Sequence, residues 1–126
     1  MIKSLVLALA MAGCTTAQPV AQAPSPTCAE PKECEVKWSA ARDWVVANAG
    51  YRIETETPTR IETFPSIASS PDIAVRVLKQ ARPDGSYQIT ASVWCDNWIG
   101  CTTPPAKAVA DFSLHVSSAW RYPAAK

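Results

Sequence analysis

IAVRVLKQARPDGSYQITASVW, residues 73–94, decides the fold of this chain. Apolar residues recur at every second position on both sides of a short polar segment: Ile73, Val75 and Val77 before it, and Ile89, Ala91 and Val93 after it. Such alternation is typical of strands with one buried face. The polar segment, Arg82 to Ser86, contains the proline and glycine of a type I turn with a following bend. The stretch therefore predicts two antiparallel strands joined as a hairpin.

A second hairpin is predicted before the first one. In residues 51–57 the side chains of Tyr51, Ile53, Thr55 and Thr57 alternate with Arg52, Glu54 and Glu56. Pro58-Thr59 then turns the chain into a strand over residues 60–64. A polar connection, PSIASSPD, leads to Ile73. Four antiparallel strands are therefore expected in succession.

Helical spacing flanks these strands. In residues 35–49 the apolar side chains recur three and four positions apart, and Gly50 follows as a left-handed cap. They are Trp38, Ala41, Val45 and Ala49, flanked by Trp44 and Val46, whereas Lys37, Ser39, Arg42 and Asp43 form the polar side. Residues 106–119 fit either a helix or, over residues 112–117, a strand. We favour the helix because its apolar stripe is longer and follows the helix-start signal Thr103-Pro104-Pro105. That stripe comprises Val109, Phe112, Val116, Ala119 and Trp120.

The element order predicts an α+β domain of helix, four-stranded antiparallel sheet and helix (αββββα), with both helices on one sheet face. In element order this resembles the helix-grip domains of lipoprotein subunits in the outer-membrane barrel-assembly machinery. The resemblance lies in the pattern of elements and brings no functional residue with it. It implies a role in the bacterial envelope.

The N-terminus has the features of an export signal. Lys3 precedes an apolar run over residues 5–12, which is too short to span a bilayer because a span needs about 20 apolar residues. The run ends Met11-Ala12-Gly13-Cys14, which resembles the lipobox of bacterial lipoproteins. The resemblance implies that Cys14 carries a diacylglyceryl thioether and an amide-linked acyl chain, and two or more chains anchor a protein stably.

The lipobox also implies a location. Thr15 rather than aspartate follows Cys14, which in this class implies the outer membrane, with the protein on its inner leaflet facing the periplasm. The alternative is an ordinary cleaved signal with a chance cysteine. We expect a signal peptide over residues 1–13, a lipidated tether rich in Pro, Ala and Gln over residues 14–27, and one domain over residues 28–126. Such a tether reaches about 40 Å.

The cysteine count supports this division. Of five cysteines, four remain once Cys14 is lipidated, and an even number in an oxidising compartment indicates two disulfides. Loop entropy alone favours long-range pairing, at about 4.4 kcal/mol against 2.4 kcal/mol for a local bridge. However, the strand order places Cys34 and Cys95 at opposite ends of the sheet, about 23 Å apart. We therefore expect the local pairs Cys28–Cys34 and Cys95–Cys101, with structural zinc as the less favoured alternative because its paired cysteines lie closer in sequence.

The sequence contains little that indicates catalysis. Without Lys3, eleven basic and eleven acidic side chains remain, so neither nucleic acid nor anionic lipid is expected as the main partner. His115 is the single histidine, and Asp111 lies four residues before it. In a catalytic pair, His115 would be the base and Asp111 the acid that orients it. No serine or cysteine in a strained turn accompanies them, and no phosphate-binding loop is present. We expect no enzyme, no cofactor and no metal site.

The tryptophans offer the best candidate for a binding site. Trp38, Trp44 and Trp120 lie on helical apolar faces and are expected in the core. Trp98 and Ile99 lie inside the Cys95–Cys101 loop, and Trp94 lies on the sheet face opposite Val93; we interpret these three as partner-binding residues. In the alternative, the loop folds under the second helix and the outer sheet face is simply solvated.

These observations predict a non-catalytic binding or scaffold module that contacts an envelope protein or cell-wall partner. The alternative function is a lipoprotein inhibitor of cell-wall hydrolases such as lysozyme, with the bridged loop entering a catalytic cleft.

Overall fold

The computed structural model describes residues 24–121. The signal peptide, Cys14, most of the tether and residues 122–126 lie outside the described residues. The elements are β1 (Thr27–Cys28), α1 (Pro31–Asn48), β2 (Ile53–Glu56), β3 (Arg60–Thr63), β4 (Ala74–Ala81), β5 (Tyr87–Trp94) and α2 (Pro105–Ser118). The strands form one antiparallel sheet in the order β1-β5-β4-β3-β2. Neither helix of this part of the chain has the length and apolar character needed to cross a bilayer.

The central hairpin is confirmed. In β4 and β5, Val75 pairs with Val93 and Val77 with Ala91, so alternate side chains face the core. At the turn, the Gly85 amide donates to the Arg82 carbonyl at 3.0 Å. Gly85 has φ +88°, a conformation that other residues adopt at a cost. Glycine is therefore favoured at this position of the turn.

The helical interpretation of the last element is also confirmed. Phe112 and Val116 of α2 are buried, as the helical stripe requires. They belong to one core cluster with side chains from α1 and from the inner face of the sheet. The other members include Ala41, Trp44, Val45, Ile61, Val75, Val77 and Ile89.

The strand β1 was not predicted. Thr27, which we assigned to the tether, pairs with Gln88, and Cys28 pairs with Tyr87. The Ile89 amide also donates to the Pro26 carbonyl at 2.8 Å. A strand of two residues is too short to produce a periodic pattern in the sequence, so the element order is βαββββα and the prediction of αββββα is corrected.

The first helix also begins earlier than predicted. It starts at Pro31 instead of Glu35, since proline fits the first helical position, where no amide donor is needed. Lys37, which we placed on the polar side, is buried and pairs with Glu33. The first two turns of α1 thus pack against β1.

The strand β2 contains an irregularity that breaks the expected alternation. Ile53 pairs with Thr63, but after a shift in register Thr55 pairs with Glu62 and Glu56 with Ile61. A bulge of this kind reverses which side chains face the core. Glu56 accordingly lies on the α1 side, where its carboxylate accepts a bond from Arg42 Nε at 2.6 Å.

Gly50 does not form the expected left-handed cap. The helix ends through Ala49 in an extended conformation (φ −72°, ψ 144°), and the Gly50 amide donates to the Ile73 carbonyl at 3.0 Å. A Cβ atom on Gly50 would lie 2.2 Å from the Cβ of Asp72. Glycine is therefore required here by a close approach of two chain segments.

Both disulfides join the pairs expected from the sequence. The Cα atoms are 5.1 Å apart in Cys28–Cys34 and 5.8 Å apart in Cys95–Cys101. Cys28 pairs with the first residue of β5 and Cys95 follows the last, so the bridges lie at opposite ends of that strand, about 24 Å apart. With all four sulfurs in disulfides, these cysteines do not form the alternative zinc site.

Candidate interaction surface

The loop between Cys95 and Cys101 presents large apolar side chains to solvent. Trp98 is 89% exposed and Ile99 is 60% exposed. The disulfide closes the loop, and Asn97 orders its interior. The Asn97 Oδ1 atom accepts bonds from the amides of Ile99 at 2.9 Å and Gly100 at 2.6 Å. The tip of the loop is therefore held in one conformation even though its side chains contact solvent.

A second loop, residues 64–72, supports the first. The Asp96 amide donates to Ser66 Oγ at 3.0 Å, and that hydroxyl donates to Asp96 Oδ2 at 3.1 Å. Asn97 Nδ2 donates to the Ser70 carbonyl at 2.5 Å. These bonds join the connection from β3 to β4 with the connection from β5 to α2. We call the two joined loops the distal loops, because they lie at the end of β5 opposite β1.

Two further exposed apolar residues belong to the distal loops. Phe64 is 41% exposed and Ile67 is 54% exposed. Phe64 ends the strand predicted over residues 60–64, and Ile67 falls in the segment PSIASSPD that we expected to be a polar connection. The signal that could have found Ile67 is its position as a large apolar residue between serines. Ile67, Trp98 and Ile99 give the distal loops an apolar surface, whereas the Phe64 ring lies beneath the Arg52 guanidinium at the edge of the sheet.

Trp94 lies apart from the loop tip. It is half-buried on the outer face of the sheet, where the Arg76 guanidinium lies 5.6 Å from the centre of its ring. The three residues predicted to bind a partner thus fall on two adjoining surfaces: Trp98 and Ile99 on the distal loops, and Trp94 on the sheet. The alternative in which the loop folds under the second helix is wrong for Trp98, since its side chain is almost fully exposed.

The remaining tryptophans occupy the helices or follow them. Trp44 is buried, packs edge-on against Phe112 with ring centres 5.3 Å apart, and donates from Nε1 to Asp111 Oδ2 at 2.8 Å. Trp38 packs against the core in a half-buried position, and Trp120 is also half-buried. Of the three, Trp44 is therefore the core residue that the helical spacing predicted.

His115 and Asp111, considered above as a base and its orienting acid, are engaged differently in the structure. Asp111 accepts the indole hydrogen bond of Trp44, and His115 is exposed in the last turn of α2.

A groove of about 590 Å³ lies between α1 and β2, and charged residues at its rim include Arg42, Arg52, Glu54 and Glu56. Within residues 24–121, no three His, Cys, Asp or Glu side chains come together as a metal site would require.

Comparisons with protein-family models, with curated proteins and with solved structures give no match to this chain. We therefore infer function from the geometry of the distal loops and of the sheet.

Proposed function

We propose that this protein is a membrane-anchored envelope lipoprotein whose domain holds a partner protein in the periplasm, without catalysing a reaction. The observation that carries the proposal is the exposure of Trp98 on a loop that a disulfide and Asn97 hold rigid. Anchoring at the inner leaflet of the outer membrane is the location that the lipobox and Thr15 support.

The physical case rests on what an exposed indole contributes to binding. Burying apolar surface contributes about 25 cal/mol per Å², and tryptophan is among the residues that dominate contact energies. A rigid loop loses little conformational entropy when it binds, so more of that energy remains as affinity. Trp98 and Ile99 meet both conditions, because they are exposed and their backbone is already ordered.

The position of the loop supports a partner away from the anchor. The chain enters the domain at β1, beside the first residue of β5, whereas the distal loops follow its last residue. With the anchor at one end and the apolar surface at the other, the domain can hold a partner in the periplasm, away from the membrane that anchors it.

The anchor is tested by metabolic labelling. Labelled fatty acid is expected in the mature protein and is expected to disappear from Cys14→Ser. Label that persists in the variant would show that the anchor is assigned to the wrong residue.

The binding surface is tested by photo-cross-linking in intact cells. A cross-linking amino acid at position 99 is expected to capture a defined protein, and capture is expected to fall when Trp98→Ala is added. The control is the same amino acid at Leu114, an exposed apolar position on α2. Equal capture from both positions, or capture that is insensitive to Trp98→Ala, would contradict the proposal.

The second candidate function is inhibition of a hydrolase, since a projecting rigid loop has the shape to enter a catalytic cleft. Full-length protein in detergent, added to lysozyme acting on cell walls, separates the two functions. Inhibition that is lost in Trp98→Ala would establish the inhibitor in place of the partner protein.

A further inference from the structure

The outer face of the sheet combines arginines with aromatic rings. Among residues 24–121, both helices contribute to the core on the inner face, which leaves this face open. Its contacts involve three arginines, one glutamate and two aromatic residues: Arg52, Arg60, Arg76, Glu62, Phe64 and Trp94.

One carboxylate holds two of the arginines. Arg76 Nε and Nη2 donate to Glu62 Oε1 at 3.0 and 2.8 Å, and Arg60 Nε donates to Glu62 Oε2 at 2.8 Å. The bond from Arg76 is the main reason that the pKa of Glu62 is lowered, so this carboxylate stays ionised. Arg52 forms no ion pair within the described residues. The six residues of these contacts therefore carry a net charge of +2, and the exposed carboxylate of Glu54 on β2, two residues from Arg52, lowers the charge at that edge of the sheet.

The aromatic rings position the arginines. The Arg52 guanidinium lies 5.8 Å from the Phe64 ring centre, and Arg76 lies 5.6 Å from that of Trp94. Cation–π contacts of this kind orient a guanidinium without using its N–H groups. Within the described residues Arg52 donates to no side chain, whereas Arg60 and Arg76 each donate from Nε and Nη2 to Glu62. Ala74, which pairs with Trp94, is fully buried, so larger side chains close over it. The result is a firm surface that presents donors for carboxylates.

We propose that this outer face binds the carboxylate-bearing peptides of a cell-wall glycan. Guanidinium groups bind carboxylates in paired hydrogen bonds, and a polymer that repeats its carboxylates can engage several arginines at once. A protein partner would instead require an apolar centre in the contact. The aromatic rings of this face, Phe64 and Trp94, lie beneath the guanidinium groups of Arg52 and Arg76, so the face presents charge there. The proposal goes beyond the proposed function, because it concerns another surface and another class of ligand.

The test is sedimentation of the full-length protein in detergent with purified peptidoglycan sacculi. The protein is expected to sediment with sacculi at low salt, to be released as salt rises, and to ignore sacculi whose carboxylates have been amidated. Arg52→Glu is expected to weaken binding about tenfold. Its control is Arg82→Glu, which makes the same charge change at the exposed β4–β5 turn.

A variant that binds sacculi more tightly would show that the arginines bind the ligand and do not only stabilise the sheet. Glu62→Gln removes the carboxylate that competes for Arg60 and Arg76, so this variant is expected to bind sacculi more tightly than the unaltered protein. Circular dichroism would verify that each variant is folded. Absence of sedimentation, equal effects of the two arginine variants, or equal binding to anionic lipid vesicles would overturn the proposal. Loss of sedimentation in Trp98→Ala but not in Arg52→Glu would assign wall binding to the distal loops instead. Failure of the photo-cross-linking experiment leaves this test unaffected, since it uses no partner protein.

Discussion

Lys37 and Glu33 form a buried ion pair in the first turns of α1. Lys37 Nζ donates to Glu33 Oε2 at 2.9 Å and to the Thr27 carbonyl at 2.7 Å, while Glu33 Oε1 accepts from the Ala29 amide at 2.7 Å. Burial raises the pKa of Glu33, but the hydrogen bonds from Ala29 and Lys37 and the charge of Lys37 outweigh it. The pKa therefore lies below its ordinary value of 4.5. The pair fastens β1 to α1.

Lys37→Met is expected to destabilise the domain by about 3–5 kcal/mol, because it leaves the Glu33 carboxylate buried without its partner. The double variant E33Q/K37M is expected to recover most of that loss, since neither side chain is then charged. Urea unfolding of both variants and of the unaltered protein gives the comparison. A double variant as unstable as Lys37→Met would show that packing of the lysine stem, and not its charge, is what matters.

The same pair predicts an acid-dependent loss of stability. Because the pKa of Glu33 is lower in the folded chain than in the unfolded chain, its stabilising contribution is complete above about pH 4.5 and is lost as the pH falls below that value. Glu62 contributes with the same sign, since its pKa is also lowered. Between about pH 5 and pH 3, the free energy of unfolding is expected to fall less in E33Q/K37M than in the unaltered protein. Urea unfolding at each pH measures it. Parallel pH profiles would contradict this.

Gly50→Ala is expected to destabilise the domain by about 1–3 kcal/mol, since the new Cβ meets Asp72 and two chain segments must move apart. The control is Asp72→Gly, which removes the opposing Cβ. If the contact is the cause, Gly50→Ala costs much less when it is introduced into Asp72→Gly than into the unaltered protein. Thermal unfolding of the four proteins tests this coupling.

At the scale of elements, the Asp96–Gly100 segment is ordered by one side chain. Asn97 bonds two amides of its own loop and the Ser70 carbonyl of the neighbouring loop. Its amide group therefore supports both distal loops. The disulfide limits the separation of the loop ends, but it does not by itself specify the backbone between them.

Asn97→Ala is expected to accelerate amide hydrogen exchange at Ile99 and Gly100 at least several-fold, because their acceptor is removed. Exchange in β4 and β5 is expected to stay unchanged. Asn48→Ala is the control, since that side chain bonds a helix carbonyl at 2.8 Å. Unchanged exchange at positions 99 and 100 would show that the bridge alone holds the loop.

At the scale of the whole molecule, the two disulfides have the same sequence separation but different surroundings. Cys28 and Cys34 belong to the core cluster, whereas Cys95 and Cys101 are half-buried. Loop entropy assigns each bridge about 2 kcal/mol. Removing the Cys28–Cys34 bridge is expected to lower stability further, because it also disturbs packing between β1 and α1.

Paired Cys→Ser replacements are therefore expected to lower the melting temperature more at Cys28–Cys34 than at Cys95–Cys101. Reduction of both bridges is expected to leave a folded domain with a lower melting temperature. Scanning calorimetry measures these differences. A reduced protein that is wholly unfolded would show that the hydrophobic core is weaker than its burial indicates.

By itself, the sequence determined the α+β class, both helices, the four longer strands and the local cysteine pairs. Periodicity is a local property, so alternation in residues 73–94 and helical spacing in residues 106–119 could be recognised without any contact. The predicted strand order then placed Cys28 and Cys34 at one end of the sheet and Cys95 and Cys101 at the other. Trp98 and Ile99 could be proposed as surface residues for the same reason, because they lie in a short bridged loop outside regular elements.

Only the tertiary structure decided the features that depend on residues distant in sequence. β1 exists because β5 offers an open edge, and Lys37 is buried because β1 supplies a carbonyl for it. Gly50 is set by its approach to Asp72, and the exposure of Trp98 depends on how the loop at residues 64–72 supports its own loop. Each of these is a balance of burial and hydrogen bonding between separate segments, and no local pattern of residues encodes it.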